Sequence, residues 1–183
     1  WLASHHIKIV NMSLAGPDDD LLRKQVEGLS KSGIIILAAV GNDGPKAPKA
    51  YPAGYEPVIA VTAVNAELVN YRHANRGPHV DLAAPGVRIW TAAPPNRGEY
   101  HSGTSFATPY ATAVVASIYQ SLPAKTKEEA LKRLSYVDLG SPGPDPIYGR
   151  GLVLAPKSCD GQSNTPPALL SSVALGTQAL VRP

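Results

Sequence analysis

A chain of 183 residues, 44% hydrophobic and 17% charged, is long enough to bury one core, and two domains would be cramped. Its net charge of +3 comes from scattered Lys and Arg, with the cluster Lys46 to Lys49 broken by Pro48, which excludes a nucleic-acid-binding stripe. A single cysteine, Cys159, excludes an internal disulfide and any multi-cysteine metal site.

In chain order, IKIVNMSL (7–14) is apolar, partly β-branched and followed by AGP, so it reads as a buried strand running into a turn. DDDLLRKQVEGLSKSG follows, with apolar residues at 21, 22, 26 and 29, acids first and basic residues later. That pattern predicts an amphipathic helix stopped by Gly33. GIIILAAVGN and PVIAVTAV (57–64) are continuous apolar strands. Strand, helix, strand with unbroken apolar strands implies a parallel sheet covered on both faces, an α/β fold. VDLAAPG (80–86) reads as a short strand, PPNRGEYHSGT as a loop, and YATAVVASIY as a buried helix beginning near Ser105. Thr126 with Glu129 three residues on announces a further helix through a capping box. From residue 157 the chain is rich in Ser, Pro, Gly and Ala without a period and reads as a poorly ordered tail, leaving a unit over 1–156. Its apolar stretch is too short and interrupted to span a membrane.

Three features carry chemistry. Ser105 stands at a loop-to-helix junction behind Gly103 and Thr104, where unpaired N–H groups and the positive end of the helix dipole face a hydroxyl. A helix cap explains such a serine equally well. Asn42 lies just past a buried strand end, where ligand sites of open α/β sheets gather, and its amide could donate to an oxyanion. A turn built on Asn and the flanking glycines is the alternative. Finally, SLAGP (13–17) is an unobstructed strand end able to pair with an extended peptide, or simply to turn into the next helix.

IVNMSLAGP, ILAAVGNDG, YPAGYEPVIAVTAV, VDLAAPGV, SGTSFATP and YGRGLV occur in that order across residues 1–155. Together they resemble the subtilisin-like serine proteases, the subtilases, and GTSFATP is the most specific of them. The resemblance implies a doubly wound, three-layer parallel sheet and an endopeptidase acting through an acyl-enzyme on Ser105, with Asn42 in the oxyanion hole. It further implies that Ser13, Leu14, Ala15 and Gly16 pair with the substrate backbone, and that Ala39, Val40, Gly41, Gly103 and Thr104 line the substrate site. A weak cation on backbone carbonyls near Ala53, Tyr55 and Val58 is known in some members. No obligatory metal or cofactor is expected. Export to the exterior or periplasm is the habit of the family.

A serine hydroxyl needs an imidazole to take its proton and a carboxylate to fix that imidazole. Subtilases order the triad Asp, His, Ser, with acid and base well ahead of the oxyanion Asn. Only 41 residues precede Asn42 here, and the family's acid strand and His-Gly-Thr-His helix are not among them. The chain therefore corresponds to the second half of the catalytic domain, with base and acid expected from the part it lacks. Of the local histidines, His101 reads as a rim neighbour, His5 and His6 as surface residues, and His73 and His79 as exposed flanks of a loop with Arg72, Asn75 and Arg76. Asp43 and Asp81 are candidate acids by proximity alone. A non-catalytic, peptide- or partner-binding relative of the family is the competing reading.

Overall fold

The computed structural model describes residues 1–119 and 123–156. Strands β1 (Ile9–Met12), β2 (Ile35–Ala39), β3 (Val58–Val64), β4 (Leu82–Pro85), β7 (Ser135–Val137) and β8 (Leu152–Leu154) form one sheet in the order β1-β2-β3-β4-β8-β7. All neighbours run parallel except the last pair, in which β7 folds back antiparallel on β8. The apolar runs dictate this: every residue of β2 and β3 is buried, as a parallel sheet with both faces covered requires.

Helix α1 (Asp20–Lys31) covers one face. Asp19 caps it by accepting the Leu22 N–H at 2.7 Å, and Val26 is its buried contact with Ile34, Ile36, Ala38 and Val58. Leu22 and Leu29 pack on the same cluster. Leu21, placed on the apolar face by its spacing, is 68% exposed instead. Helix α2 (Thr104–Tyr119) covers the other face. Its Ala107, Ala111 and Val115 meet Ile35, Leu37, Val61 and Leu82, joined by Ala130 and Leu131 of helix α3 (Lys127–Arg133). At about 25 cal/mol per Å² of apolar surface, these two faces supply the bulk of the driving force for folding. Thr126 caps α3 as expected, its Oγ1 accepting the Glu129 N–H at 3.2 Å, but the Glu129 carboxylate reaches one residue past the cap, accepting the Lys125 N–H at 2.9 Å.

One reading changes. The stretch expected to loop into α2 holds a hairpin, β5 (Ile89–Ala93) antiparallel to β6 (Arg97–His101), with Trp90 edge-on to Tyr100 across it at 4.9 Å between ring centroids. Such a cross-strand aromatic pair stabilises strands that the local sequence favours only weakly. Ahead of β1, residues Trp1–His6 hold a single 3-10 turn over Ala3–His5. The tail reading and Cys159 lie outside the described residues. Among the described residues no helix is long and apolar enough to cross a membrane.

Candidate active site

The sheet brings three segments together at the carboxyl ends of its strands. The loop after β2 carries Gly41 and Asn42, the loop after β1 carries Ser13 to Gly16, and α2 starts at Thr104 and Ser105. Ser105 is the second residue of α2, so its own N–H belongs to the first turn, where helical N–H groups lack partners.

Thr104 ties Asn42 to the helix. Asn42 Oδ1 accepts from the Thr104 N–H at 2.9 Å and from the Thr104 hydroxyl at 3.1 Å. Because its oxygen is committed, the amide presents Nδ2 as a donor elsewhere. The direction is given by Gly103: a Cβ on this glycine would lie 3.2 Å from Ser105 Oγ and 3.4 Å from Asn42 Nδ2. The hydroxyl and the amide nitrogen thus border the same small volume, kept open by the missing side chain.

Asn75 holds the Asn42 loop from beneath. It is fully buried, its Oδ1 accepts the Asp43 N–H at 2.8 Å, its Nδ2 donates to the Pro48 carbonyl at 3.2 Å, and its backbone N–H donates to the Gly41 carbonyl at 3.1 Å. Gly41, at φ +103°, leaves room for this amide: a Cβ there would come within 2.8 Å of Asn75 Nδ2. Sequence reasoning set Asn75 in an exposed loop. The available signal was AAVGNDG itself, since a tight polar turn inside an apolar sheet end needs an internal partner for its N–H groups.

On the β1 side, Ser13, Leu14 and Ala15 are exposed beside the helix start. The Ser13 hydroxyl donates to the Ser105 carbonyl at 2.8 Å, receives the Asn11 side-chain N–H at 3.0 Å, and Asn11 in turn accepts from Thr112 at 3.1 Å. Pro109, four residues after Ser105, has no N–H for that carbonyl, and Ser13 supplies the hydrogen bond instead. Gly16 behaves differently from its neighbours, because its N–H and C=O are both engaged by Tyr51 at 2.9 Å. Ala39 and Gly41 are buried behind Asn42, while the Val40 side chain points into the core beneath α1.

Among the described residues no imidazole is hydrogen-bonded to Ser105. His101 stacks on Phe106 with centroids 5.5 Å apart and lies 3.4 Å from the Glu99 carboxylate, a rim position. His5 bonds to the Trp1 carbonyl at 2.8 Å, and His73 accepts from Arg72 at 2.9 Å. His79 is half-buried rather than exposed. Its Nε2 has no partner, and burial, with Lys49 and Lys127 adding to it, pulls its pKa down. Asp81 is committed to structure, since it accepts the Ala60 N–H at 2.7 Å and the Lys127 ammonium at 2.8 Å. Burial raises its pKa against the pull of Lys127. Of the acidic run 18–20, Asp18 binds the Tyr55 hydroxyl at 2.9 Å and Arg23. No cluster of three His, Cys, Asp or Glu suited to a metal occurs among the described residues.

Small residues on one side of α2 set how closely it packs. Ala107 and Ala111 are buried and let the helix approach the sheet, whereas Ala113 and Ala116 face outward.

A family model described as the subtilase family matches residues 1–151. The minor extracellular protease Epr of Bacillus subtilis (strain 168) is 37% identical over 158 residues, which are 84% of this chain and 24% of that protein. Subtilisin DY of Bacillus licheniformis is 32% identical over 157 residues, 84% of this chain and 57% of that protein. A solved structure titled S41 Psychrophilic Protease superposes with a TM-score of 0.73 at 25% identity, covering 82% of this chain and 58% of that one. The chain thus spans from a quarter to somewhat over half the length of these relatives. With the family model matching most of its residues, and with the doubly wound sheet and the Ser105 helix start in place, the chain belongs to the subtilase family.

Proposed function

We propose that this chain supplies the nucleophile and oxyanion-binding half of a serine endopeptidase. An extended polypeptide pairs with the backbone of Ser13, Leu14 and Ala15 and sets the side chain before the scissile bond toward Ala39 and Gly41, with Gly103 and Thr104 closing the site. Ser105 Oγ attacks the carbonyl carbon while an imidazole from outside this chain takes the hydroxyl proton. The oxygen that gains charge is held by Asn42 Nδ2 and the Ser105 N–H. The same imidazole, now protonated, gives its proton to the leaving amine, and water then releases the acyl group from Ser105.

One observation carries this reading: Ser105 Oγ and Asn42 Nδ2 converge on the volume left by Gly103. A module that only binds peptides or a partner chain has no use for that convergence. No cofactor takes part. A weak cation on the carbonyls of Ala53, Tyr55 and Val58 belongs to the reading only as a possible prop of that loop, and no step runs through it. Export belongs to it too, supported by the printed name of the Bacillus subtilis relative.

The test is fluorophosphonate labelling of the purified chain with peptide mapping, Ser105→Ala serving as control. The chain alone is expected to stay unlabelled, and addition of the polypeptide bearing the acid and base is expected to bring labelling at Ser105. Absence of labelling in that mixture would favour the non-catalytic reading. Labelling of the chain alone would mean that a base within it reaches Ser105, with His101 first to be replaced.

A further inference from the structure

A second cleft, of about 690 Å³, opens beside the loop that leads into Ser105 and is lined by Asn65, Tyr71, Arg72, His73, Arg88 and Ser102 among others, none of them acidic. It is physically joined to the candidate active site, because Ser102 Oγ accepts the Arg88 N–H at 2.9 Å and the Gly103 N–H donates to the Gly86 carbonyl at 2.8 Å. Ser102 stands three residues before Ser105. Three residues of fully extended chain span at most about 10 Å, so the near wall of the cleft lies within two to three substrate residues of the bond that Ser105 would attack.

Both guanidinium groups here are anchored by neutral partners. Arg72 Nε–H donates to His73 Nε2 at 2.9 Å, and His73 is itself steadied edge-on by Tyr71. Arg88 lies over the Tyr100 ring, 5.2 Å from its centroid. Among the described residues neither arginine is paired with a carboxylate. The nearby hairpin acid, Glu99, is taken by Arg97 and His101. A guanidinium held in place with its charge unspent is suited to bind a carboxylate, often through two parallel hydrogen bonds, and little orientation is left to be lost on binding.

We propose that Arg72 and Arg88 make this cleft a subsite for an acidic side chain, Asp or Glu, two to three residues from the scissile bond of a polypeptide substrate. The proposal rests on the endopeptidase reading for its substrate, and its physical content is a charge preference that can be measured without turnover. Both arginines are exposed, so the preference is expected to be modest, about fivefold per carboxylate, and sensitive to salt.

The experiment measures binding of fluorescent peptides to the Ser105→Ala chain by anisotropy. A neutral peptide carries a single Glu, Gln or Lys moved along it one position at a time. At one or two positions the Glu peptide should bind about fivefold more tightly than the Gln peptide and the Lys peptide more weakly still. The difference should shrink as salt rises from about 50 to about 500 mM. The double variant Arg72→Gln, Arg88→Gln should erase the Glu preference and leave the affinity of the Gln peptide unchanged. Equal binding of Glu and Gln peptides at every position, a preference that survives the double variant, or no binding of the Glu peptides would each overturn the proposal. Fluorophosphonate labelling separates the two readings: labelled Ser105 with no charge preference removes the subsite alone, whereas a charge preference with Ser105 never labelled removes the endopeptidase reading alone.

Discussion

The Ser13 hydroxyl donates to the carbonyl of Ser105 at 2.8 Å, across 92 residues of sequence, at the point where Pro109 has left that carbonyl without its helical partner. The bond joins the loop after β1 to the backbone of the candidate nucleophile. Ser13→Ala is expected to cost under about 1 kcal/mol, because Ser13 is exposed and water can replace it in part. In a Pro109→Ala background the restored N–H can serve the same carbonyl, so the cost of Ser13→Ala should nearly vanish. Urea unfolding of the four variants in a double-mutant cycle measures this coupling, and strict additivity would contradict it.

Asn75→Ala removes the side-chain partner of the part-buried Asp43 N–H and Pro48 carbonyl and empties the fully buried space beneath Gly41. A loss of about 2–3 kcal/mol in unfolding free energy is expected. On the proposed endopeptidase reading, once acid and base are supplied, the same change should lower kcat more than it raises KM, since it loosens the proposed oxyanion donor rather than the proposed peptide edge. Asn42→Ala provides the scale, because loss of one oxyanion donor costs about 10²–10³ in kcat. A variant that matched wild type in kcat while losing stability would reduce Asn75 to a purely structural role.

His79 is expected to make stability pH-dependent. Its folded pKa lies below the ordinary 6.5, so the native fold takes up this proton less readily than the unfolded chain does. Its contribution is therefore complete above pH 6.5 and is lost as pH falls from there toward the depressed value. Urea midpoints for wild type should decline between pH 8 and pH 5 more steeply than those of His79→Leu, which has neither the proton nor the orphaned Nε2. Parallel profiles would show that His79 titrates alike in both states.

Lys127→Met leaves the Asp81 carboxylate largely buried without its ammonium. A loss of about 2–3 kcal/mol is expected near pH 8. The native pKa of Asp81 is already raised by burial and should rise further without Lys127, so at lower pH the acid takes up a proton and the loss shrinks. Adding Asp81→Asn to Lys127→Met should recover most of the stability at pH 8. Chemical denaturation across pH reads all three, and a loss independent of pH would place the cost elsewhere.

How much of this was readable in advance follows from where the information sits. The runs Ile35–Ala39 and Val58–Val64 announced their strands because burial on both faces leaves only apolar residues. Asp19, Thr126 and Glu129 announced helix starts because caps are local. The β5–β6 hairpin was invisible since its support is the contact of Trp90 with Tyr100, ten residues apart, rather than local preference. Asn75 looked like loop polarity, yet it is buried because both ends of its amide are used. At the site, GTSFATP pointed to Ser105 and AAVGNDG to Asn42, while the roles of the Ser13 hydroxyl and of Gly16 depended on partners that only folding brings near.

The sheet is asymmetric at its two margins. One ends in β7, three residues long and turned back against its neighbour, and the other ends in β1, parallel to its neighbour; among the described residues neither carries a further strand on its outer side. Of the two, β1 is the longer template for an added strand, four residues against three. A second copy of the chain and a complementary polypeptide compete for that margin, the first as the square of chain concentration and the second in proportion to it. Dilution should consequently favour pairing with such a polypeptide over self-pairing, so the concentration at which the chain is handled becomes part of its chemistry.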